Sequence, residues 1–318
     1  MAYFFVAVST KENLQLCKKY LIAGFPNTIN GLWAFLDIDI GDFITFLYGA
    51  RAHNLYTVSK KEAIKNAWKL PPWKLLTFRS GKKVDFPFRL FLKQVREIEE
   101  LIAKTEFSYI AENLLLRGGY RKTHFQADQT TLQNVSQMGK YSTGKMEILK
   151  MPSYKTFIPK FIRKKNTNPP IYQFREIILQ SLIRKYLSKK QNLRNFLKEI
   201  NLEKYIDIEF EVLGEKAFPE GHVDILIKEM NPEGIVKQII IEIKLNKATP
   251  NDEIQLKKYL KEVGRECLRG VLIAKQFPKN IKPDDKIYFC RYEFKNINLE
   301  EKAYTFHELL SSLSLHCL

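Results

Sequence analysis

The sequence predicts a two-domain α+β chain: a mostly β N-terminal domain closed as a small barrel with helices, then a compact α/β C-terminal core. Two observations lead there. The 318 residues suit two hydrophobic cores better than one, and 45% hydrophobic residues supply apolar material for both. Short apolar runs broken by turn residues fill the first part, whereas the last part opens with helical periodicity and continues with paired strands and another helix. The expected domains are 1–138 and 171–318, joined by a basic linker over 139–170.

Charge narrows the class of partner. A formal excess of +17 commonly serves a polyanion, either nucleic acid or an anionic membrane surface. No run of 18 apolar residues occurs, and Met1 leads into an ordinary strand-like segment. Neither a transmembrane helix nor a signal peptide is therefore expected, which favours nucleic acid over membrane. Cys17, Cys267, Cys290 and Cys317 lack Cys-x-x-Cys spacing, so they are expected to be reduced thiols of a cytoplasmic protein.

In the first domain, 3–8 is a short apolar strand ended by Ser9 and Thr10. Thr10 is the expected N-cap of a helix over 11–20, where Leu14, Cys17, Lys18 and Leu21 recur at helical spacing. Ile40-Gly41-Asp42 reads as a turn into a strand over 43–48, with further strands near 54–58 and 85–92. Trp68 and Trp73 flank Pro71-Pro72 in a loop-like segment that does not need large aromatics for a regular core. Core packing remains the competing reading for these two and for Trp33. Farther along, Arg117, Arg121 and Lys122 interleave with Gly118 and Gly119, so the chain could approach a phosphate backbone closely and neutralise its charge. A solvated basic loop is the alternative. The run 163–168 and the closing Pro169-Pro170 mark the linker.

In the second domain, Ile171, Phe174, Ile178, Leu182 and Ile183 predict a helix over 171–188 that carries Glu176. A helix over 193–202 and an alternating strand over 205–212 follow. Next, 221–228 alternates with Asp224 opposite Val223, Ile225 and Ile227, and Asn231-Pro232-Glu233-Gly234 supplies a turn. In 238–247, Glu242 and Lys244 share one strand face. A hairpin would bring Asp224 beside Glu242. Two adjacent carboxylates repel, and the usual remedy is a hard divalent cation, here Mg²⁺ or Mn²⁺. Such a metal lowers the pKa of a bound water, while Lys244 could position the nucleophile or screen charge on a phosphate. Thr249 and Pro250 then start a helix over 251–263 with Gln255 and Tyr259 one turn apart, and 269–274 reads as a buried strand. The competing reading is a sheet edge with solvated charges.

The Gly-x-x-Asp strand, the turn, the Ile-rich strand carrying Glu-x-Lys and the helix with Gln255 and Tyr259 together resemble the PD-(D/E)xK nuclease superfamily, in particular its RecB-like branch. The resemblance covers 171–318 and implies a restriction-endonuclease-like core. It implies Asp224 and Glu242 as metal and catalytic residues, Lys244 as catalytic and Gln255 as accessory. The family's upstream glutamate falls at Glu176, with Glu209 and Glu211 as alternatives.

Residues 1–138 resemble the EVE and YTH branch of PUA-like domains. The resemblance rests on the strand, the helix start Ser9-Thr10-Lys11-Glu12-Asn13, Gly31-Leu32-Trp33, the Gly41-Asp42 turn and Phe86-Pro87-Phe88-Arg89-Leu90. It implies a PUA-like barrel that takes a modified base into an aromatic cage, with Trp33 as first aromatic and Ser9 on the pocket wall; Trp68 and Trp73 are candidates for the remaining aromatics. Stacking of an extruded base on such a ring contributes about 1–3 kcal/mol. Joined, the two resemblances imply a modification-dependent endonuclease acting on double-stranded modified DNA, as a homodimer where both strands are cut. The alternatives are a structure- or damage-specific repair nuclease and a non-cleaving binding protein for modified nucleic acid.

Overall fold

The computed structural model describes residues 1–318 except 50, 78–80, 82, 99–100, 103–106, 117–122, 143–148, 165–168 and 279–284; 101–102 are described by backbone alone. Two compact units result, Met1–Ile158 and Pro159–Leu318.

The first unit begins with β1 (Tyr3–Ala7), α1 (Lys11–Tyr20), β2 (Ile22–Phe25), α2 (Ile29–Asp37), β3 (Phe43–Tyr48) and β4 (Arg51–Ile64). It continues with β5 (Leu76–Thr77), β6 (Lys83–Val84), β7 (Phe88–Glu97), β8 (Leu101–Ile102), α3 (Ser108–Leu116), β9 (His124–Ala127), α4 (Gln129–Ser136), β10 (Lys140–Tyr141) and β11 (Thr156–Phe157). Thr10 caps α1 as its sequence predicts, its Oγ1 accepting from the Asn13 amide at 3.2 Å. Helix α2 is buried from Gly31 to Asp37. It approaches the preceding chain so closely that a Cβ on Gly31 would lie 2.1 Å from the Pro26 carbonyl oxygen, a contact only glycine permits.

Among the described residues, the main sheet runs β10-β7-β4-β3-β1-β9, with β2 on β7 and with β8 and β11 on β4. This path is open and branched, which corrects the expected closed barrel. The physical reason lies in β4 and β7. At 14 residues, β4 is long enough to pair with several strands along its length, and β7 takes β2 as well as β4 and β10. Register shifts at Leu55/Tyr56 and Val58/Lys60 bend β4 along the way.

The second unit opens with β12 (Lys160–Ile162), β13 (Ile171–Gln173), α5 (Glu176–Leu187), α6 (Lys190–Glu199), β14 (Phe210–Phe218), β15 (Gly221–Glu229) and β16 (Gln238–Lys247). After these come α7 (Pro250–Val263), β17 (Cys267–Gln276), β18 (Ile287–Phe294), β19 (Tyr304–Thr305), α8 (Phe306–Ser312) and β20 (Leu313–Cys317). The helix expected over 171–188 starts only at Glu176, because Ile171–Gln173 pairs in parallel with β12 instead. The span 139–170, expected as a linker, contributes β10, β11 and β12. The six-stranded sheet has the order β14-β15-β16-β17-β18-β20. Its first three strands form an antiparallel meander, and α7 crosses over to β17, which is parallel to β16. Ile240, Leu256, Tyr259, Leu272 and Phe289 pack together in a core cluster of this unit.

The cysteine expectation also needs correction. Cys290 and Cys317 face each other in register across β18 and β20 and form a disulfide. Their sequence separation of 27 gives no local signal of it; only the strand pairing does. Cys17 and Cys267 are free, and burial pushes each thiol up to about 12. No helix of the described residues is long and apolar enough to cross a membrane.

Candidate functional site

In the second unit, the ladder between β15 and β16 ends at Ile225 and Ile241. One step farther, Asp224 and Glu242 would stand opposite each other. There the Ile243 amide donates to Asp224 Oδ2 at 2.7 Å, and Gln180 Nε2 from α5 donates to Oδ1 at 2.6 Å. Glu242 is 3% exposed, and its Oε1 accepts from Lys244 Nζ at 2.8 Å. Its Oε2 is buried without a hydrogen-bond partner among the described residues.

Neighbouring elements fix these groups. Glu176, the first residue of α5, accepts the Leu245 amide at 2.9 Å, so it reaches β16 next to Lys244. Glu209 and Glu211 are placed differently: Glu209 precedes β14, and Glu211 lies across from Lys228 with Oε1 3.8 Å from Nζ. Lys244 Nζ also lies 3.5 Å from Asp252 Oδ1. Asp252 Oδ2 accepts from Thr249 N at 2.6 Å and Oγ1 at 2.8 Å, which closes the capping box of α7. Gln255 Nε2 donates to Tyr259 Oη at 2.7 Å, and that hydroxyl donates to the His222 carbonyl at 3.1 Å. Gly221, at φ 143°, leaves room for it, since a Cβ there would meet Tyr259 Oη at 2.6 Å.

Electrostatics set the chemistry. Burial raises Asp224 well above the usual carboxylate range and nearby Glu242 adds to the effect, against the Ile243 amide and Lys244. Burial likewise raises Glu242, only partly countered by Lys244. Burial alone would lower Lys244, but its contact with Glu242 outweighs that and holds the ammonium protonated. The pair of carboxylates thus favours a bound cation or proton. Among the described residues, no group of three or more His, Cys, Asp and Glu side chains could hold a metal. Two carboxylates, one with an orphaned buried oxygen, nevertheless fit a hard divalent ion that keeps water in its other positions.

In the first unit, a cavity of about 460 Å³ is lined by Phe25, Phe46, Trp73 and Phe86, with Ser9, Asn13 and Thr123 as polar groups. That volume suits a small ligand or a base. Trp73 is buried, with its ring centroid 5.4 Å from that of Phe86. Behind it, the fully buried Arg89 donates to the carbonyls of Pro71 at 2.6 Å, Ala67 at 3.1 Å, Phe86 at 3.2 Å and Leu70 at 3.3 Å. Its guanidinium carbon lies 5.6 Å from the Trp73 ring centroid.

No family model matches the sequence, and no curated protein matches it. Among solved structures, the MmI1 YTH domain is similar at 13% identity and a TM-score of 0.29, over 43% of this chain and 92% of that one. The YTH domain of Zygosaccharomyces rouxii MRB1 protein, in complex with N6-methyladenosine RNA, is similar at 14% identity and a TM-score of 0.24, over 46% and 88%.

The aromatic residues singled out from sequence separate in space. Ser9 and Trp73 both line the cavity described above. Trp33 is outside that lining: it is buried against His124, ring centroids 4.4 Å apart, and His124 Nε2 lies 2.9 Å from Asp37 Oδ2. Trp68 is 45% exposed, with Lys69 Nζ 4.8 Å from its ring centroid. Arg117, Arg121 and Lys122 lie outside the described residues. Sequence reasoning missed Gln180, Asp252 and the role of Arg89. Gln180 had a signal, because it follows Glu176 by four residues on one helical face. Asp252 had one too, as the acidic third residue after Thr249. Arg89 had none, since apart from the nearby Phe86 carbonyl its partners are distant in sequence, the carbonyls of residues 67, 70 and 71 and the Met151 sulfur.

Proposed function

We propose that this protein is a modification-dependent DNA endonuclease, in which the first unit takes a modified base and the second hydrolyses phosphodiester bonds with Mg²⁺ or Mn²⁺. The observation that carries the catalytic part is the Asp224 and Glu242 pair at the parting of β15 and β16, with its orphaned Glu242 oxygen and its Lys244 contact. When bound by these two carboxylates, the metal would supply Lewis acidity and a more acidic water. Gln180 and the Ile243 amide orient Asp224, and Glu176 fixes the end of β16. Lys244 holds Glu242 in place and, as a cation, stabilises negative charge developing on a phosphate. The aromatic cavity supports the reading part of the proposal, and the charge of +17 supports a polyanionic partner. Cutting both strands of a duplex calls for two such sites, hence a homodimer.

The experiment is cleavage in Mg²⁺ of duplex pairs that differ only in cytosine or adenine modification, with Glu242→Ala as control. Cutting confined to a modified duplex and lost in Glu242→Ala supports the proposal. Equal cutting of both members of a pair refutes the modification dependence. A second reading, a binding protein that does not cleave, is favoured by one observation: both Asp224 oxygens already accept hydrogen bonds. Retained binding of modified duplex without metal-dependent cutting would select it.

A further inference from the structure

The cavity of the first unit has an electrical character that its apolar walls alone do not convey. Among the described residues, none of those lining it is charged. A full positive charge nevertheless sits close behind one wall, because Arg89 is completely buried and its guanidinium lies 5.6 Å from the Trp73 ring centroid. Carbonyl oxygens of residues 67, 70, 71 and 86 and the Met151 sulfur receive its hydrogen bonds; no carboxylate pairs with it among the described residues. Burial pulls the Arg89 pKa down to about 10, which still leaves it charged at neutral pH. Asp85 lies between the lining residues Val84 and Phe86 but is not part of the lining; burial raises its pKa, and the charge of Arg89 works in the opposite direction.

We propose that Arg89 is a specificity-determining residue: it admits electrically neutral aromatic rings to the cavity and disfavours cationic ones. This rests on the reading that the cavity takes a base. A ring stacked on an indole ordinarily gains from carrying positive charge, because the π-face is negative. Here Trp73 already carries a buried cation over its ring, with no acidic group among the described lining residues to balance a second one. The guanidinium lies 5.6 Å from the Trp73 ring centroid, so a cation stacked on that ring would stand at most about 9 Å from it, a separation at which like charges in a protein interior lower affinity on the order of tenfold or more. The ligand class is therefore a neutral modified base, as opposed to a base made cationic by ring alkylation. Arg89 also shapes the loop that carries Trp73, so its removal has both a structural and an electrostatic effect.

The test uses the full-length protein and oligonucleotides with a single N6-methyladenine or its isomer 1-methyladenine, which is cationic at neutral pH, beside the unmodified strand. The same comparison is made with the pair N4-methylcytosine and 3-methylcytosine. Fluorescence anisotropy of wild type is expected to show about tenfold or greater preference for the neutral member of at least one pair. Arg89→Met is expected to narrow that ratio even where overall affinity falls, and Arg89→Lys to restore it. A purely structural role would lower both affinities and leave the ratio unchanged, and that result overturns the proposal. Should Arg89→Met fail to fold, the wild-type ratio decides: equal or tighter binding of the cationic isomers overturns the proposal and leaves the base-reading proposal standing. Binding of every modified strand no tighter than the unmodified one overturns the base-reading proposal, and this inference falls with it.

Discussion

Replacing Asp224 with Asn tests whether the paired carboxylates form a cation site. The substitution keeps the shape, and a turned Gln180 amide can accept from the introduced carboxamide while the Ile243 amide keeps its acceptor. What it removes is charge. Directly opposed residues on neighbouring strands have Cβ atoms about 5 Å apart, so two carboxylates there repel by about 3 kcal/mol at an effective dielectric constant near 20. Lys244 offsets part of this, leaving about 1–2 kcal/mol, or about 2–8 °C in the unfolding temperature of a unit this size. Metal-free Asp224→Asn is therefore expected to melt higher than wild type at pH 7. The sign follows from linkage. Both carboxylates have folded pKa values above their unfolded ones, so the native state holds more protons, and stability falls as pH rises from the ordinary carboxylate range through the raised values. Asp224→Asn should flatten that fall. In Mg²⁺ at about 100 times its dissociation constant, wild type should gain about 2.7 kcal/mol and the variant far less. Scanning calorimetry with and without EDTA measures both effects. A variant that melts below wild type without metal, or gains as much from Mg²⁺, would refute the reasoning.

Further expectations concern other parts of the molecule. Gln180→Ala leaves Asp224 without its α5 donor; under the proposed endonuclease reading it should slow single-turnover cleavage by about 10- to 100-fold while DNA binding stays unchanged. In Gly24→Ala the new Cβ would fall 2.4 Å from Trp73 Cζ3, so the indole must move. Binding of modified oligonucleotide, followed by anisotropy, should weaken about tenfold or more, with the Mg²⁺ response of the second unit intact. Reducing the Cys290–Cys317 disulfide opens a loop with a sequence separation of 27 and should cost about 3–4 kcal/mol, seen as a lower melting temperature in reductant and matched by Cys290→Ser.

Local chemistry was legible in the sequence and long-range pairing was not. Thr10 announces α1, because a cap and its amide lie three residues apart. The antiparallel pairing that carries Asp224 toward Glu242 and Lys244 was likewise readable, since strand alternation and a turn are local rules and the register follows from them. The extra pairings of β4 and β7, by contrast, depend on segments far away in the chain, and so the open sheet could not be told from a barrel. Ile171 falls on the helical spacing of Phe174 and Ile178, yet a neighbouring strand captures it together with Tyr172 and Gln173. The tryptophans divide for the same reason. Trp33 sits on a helix buried against β9, whereas Trp73 lines the cavity beside a guanidinium that bonds carbonyls of residues 67, 70 and 71.

Asp252 serves two masters. One of its oxygens fastens the start of α7, and the other faces Lys244. Any event that draws the lysine toward a phosphate changes the electrical load on that carboxyl, and with it the firmness of the helix's first turn. Amide hydrogen exchange at the beginning of α7 would then act as a remote gauge of whether the lysine is engaged, readable without a labelled substrate and without waiting for a bond to break.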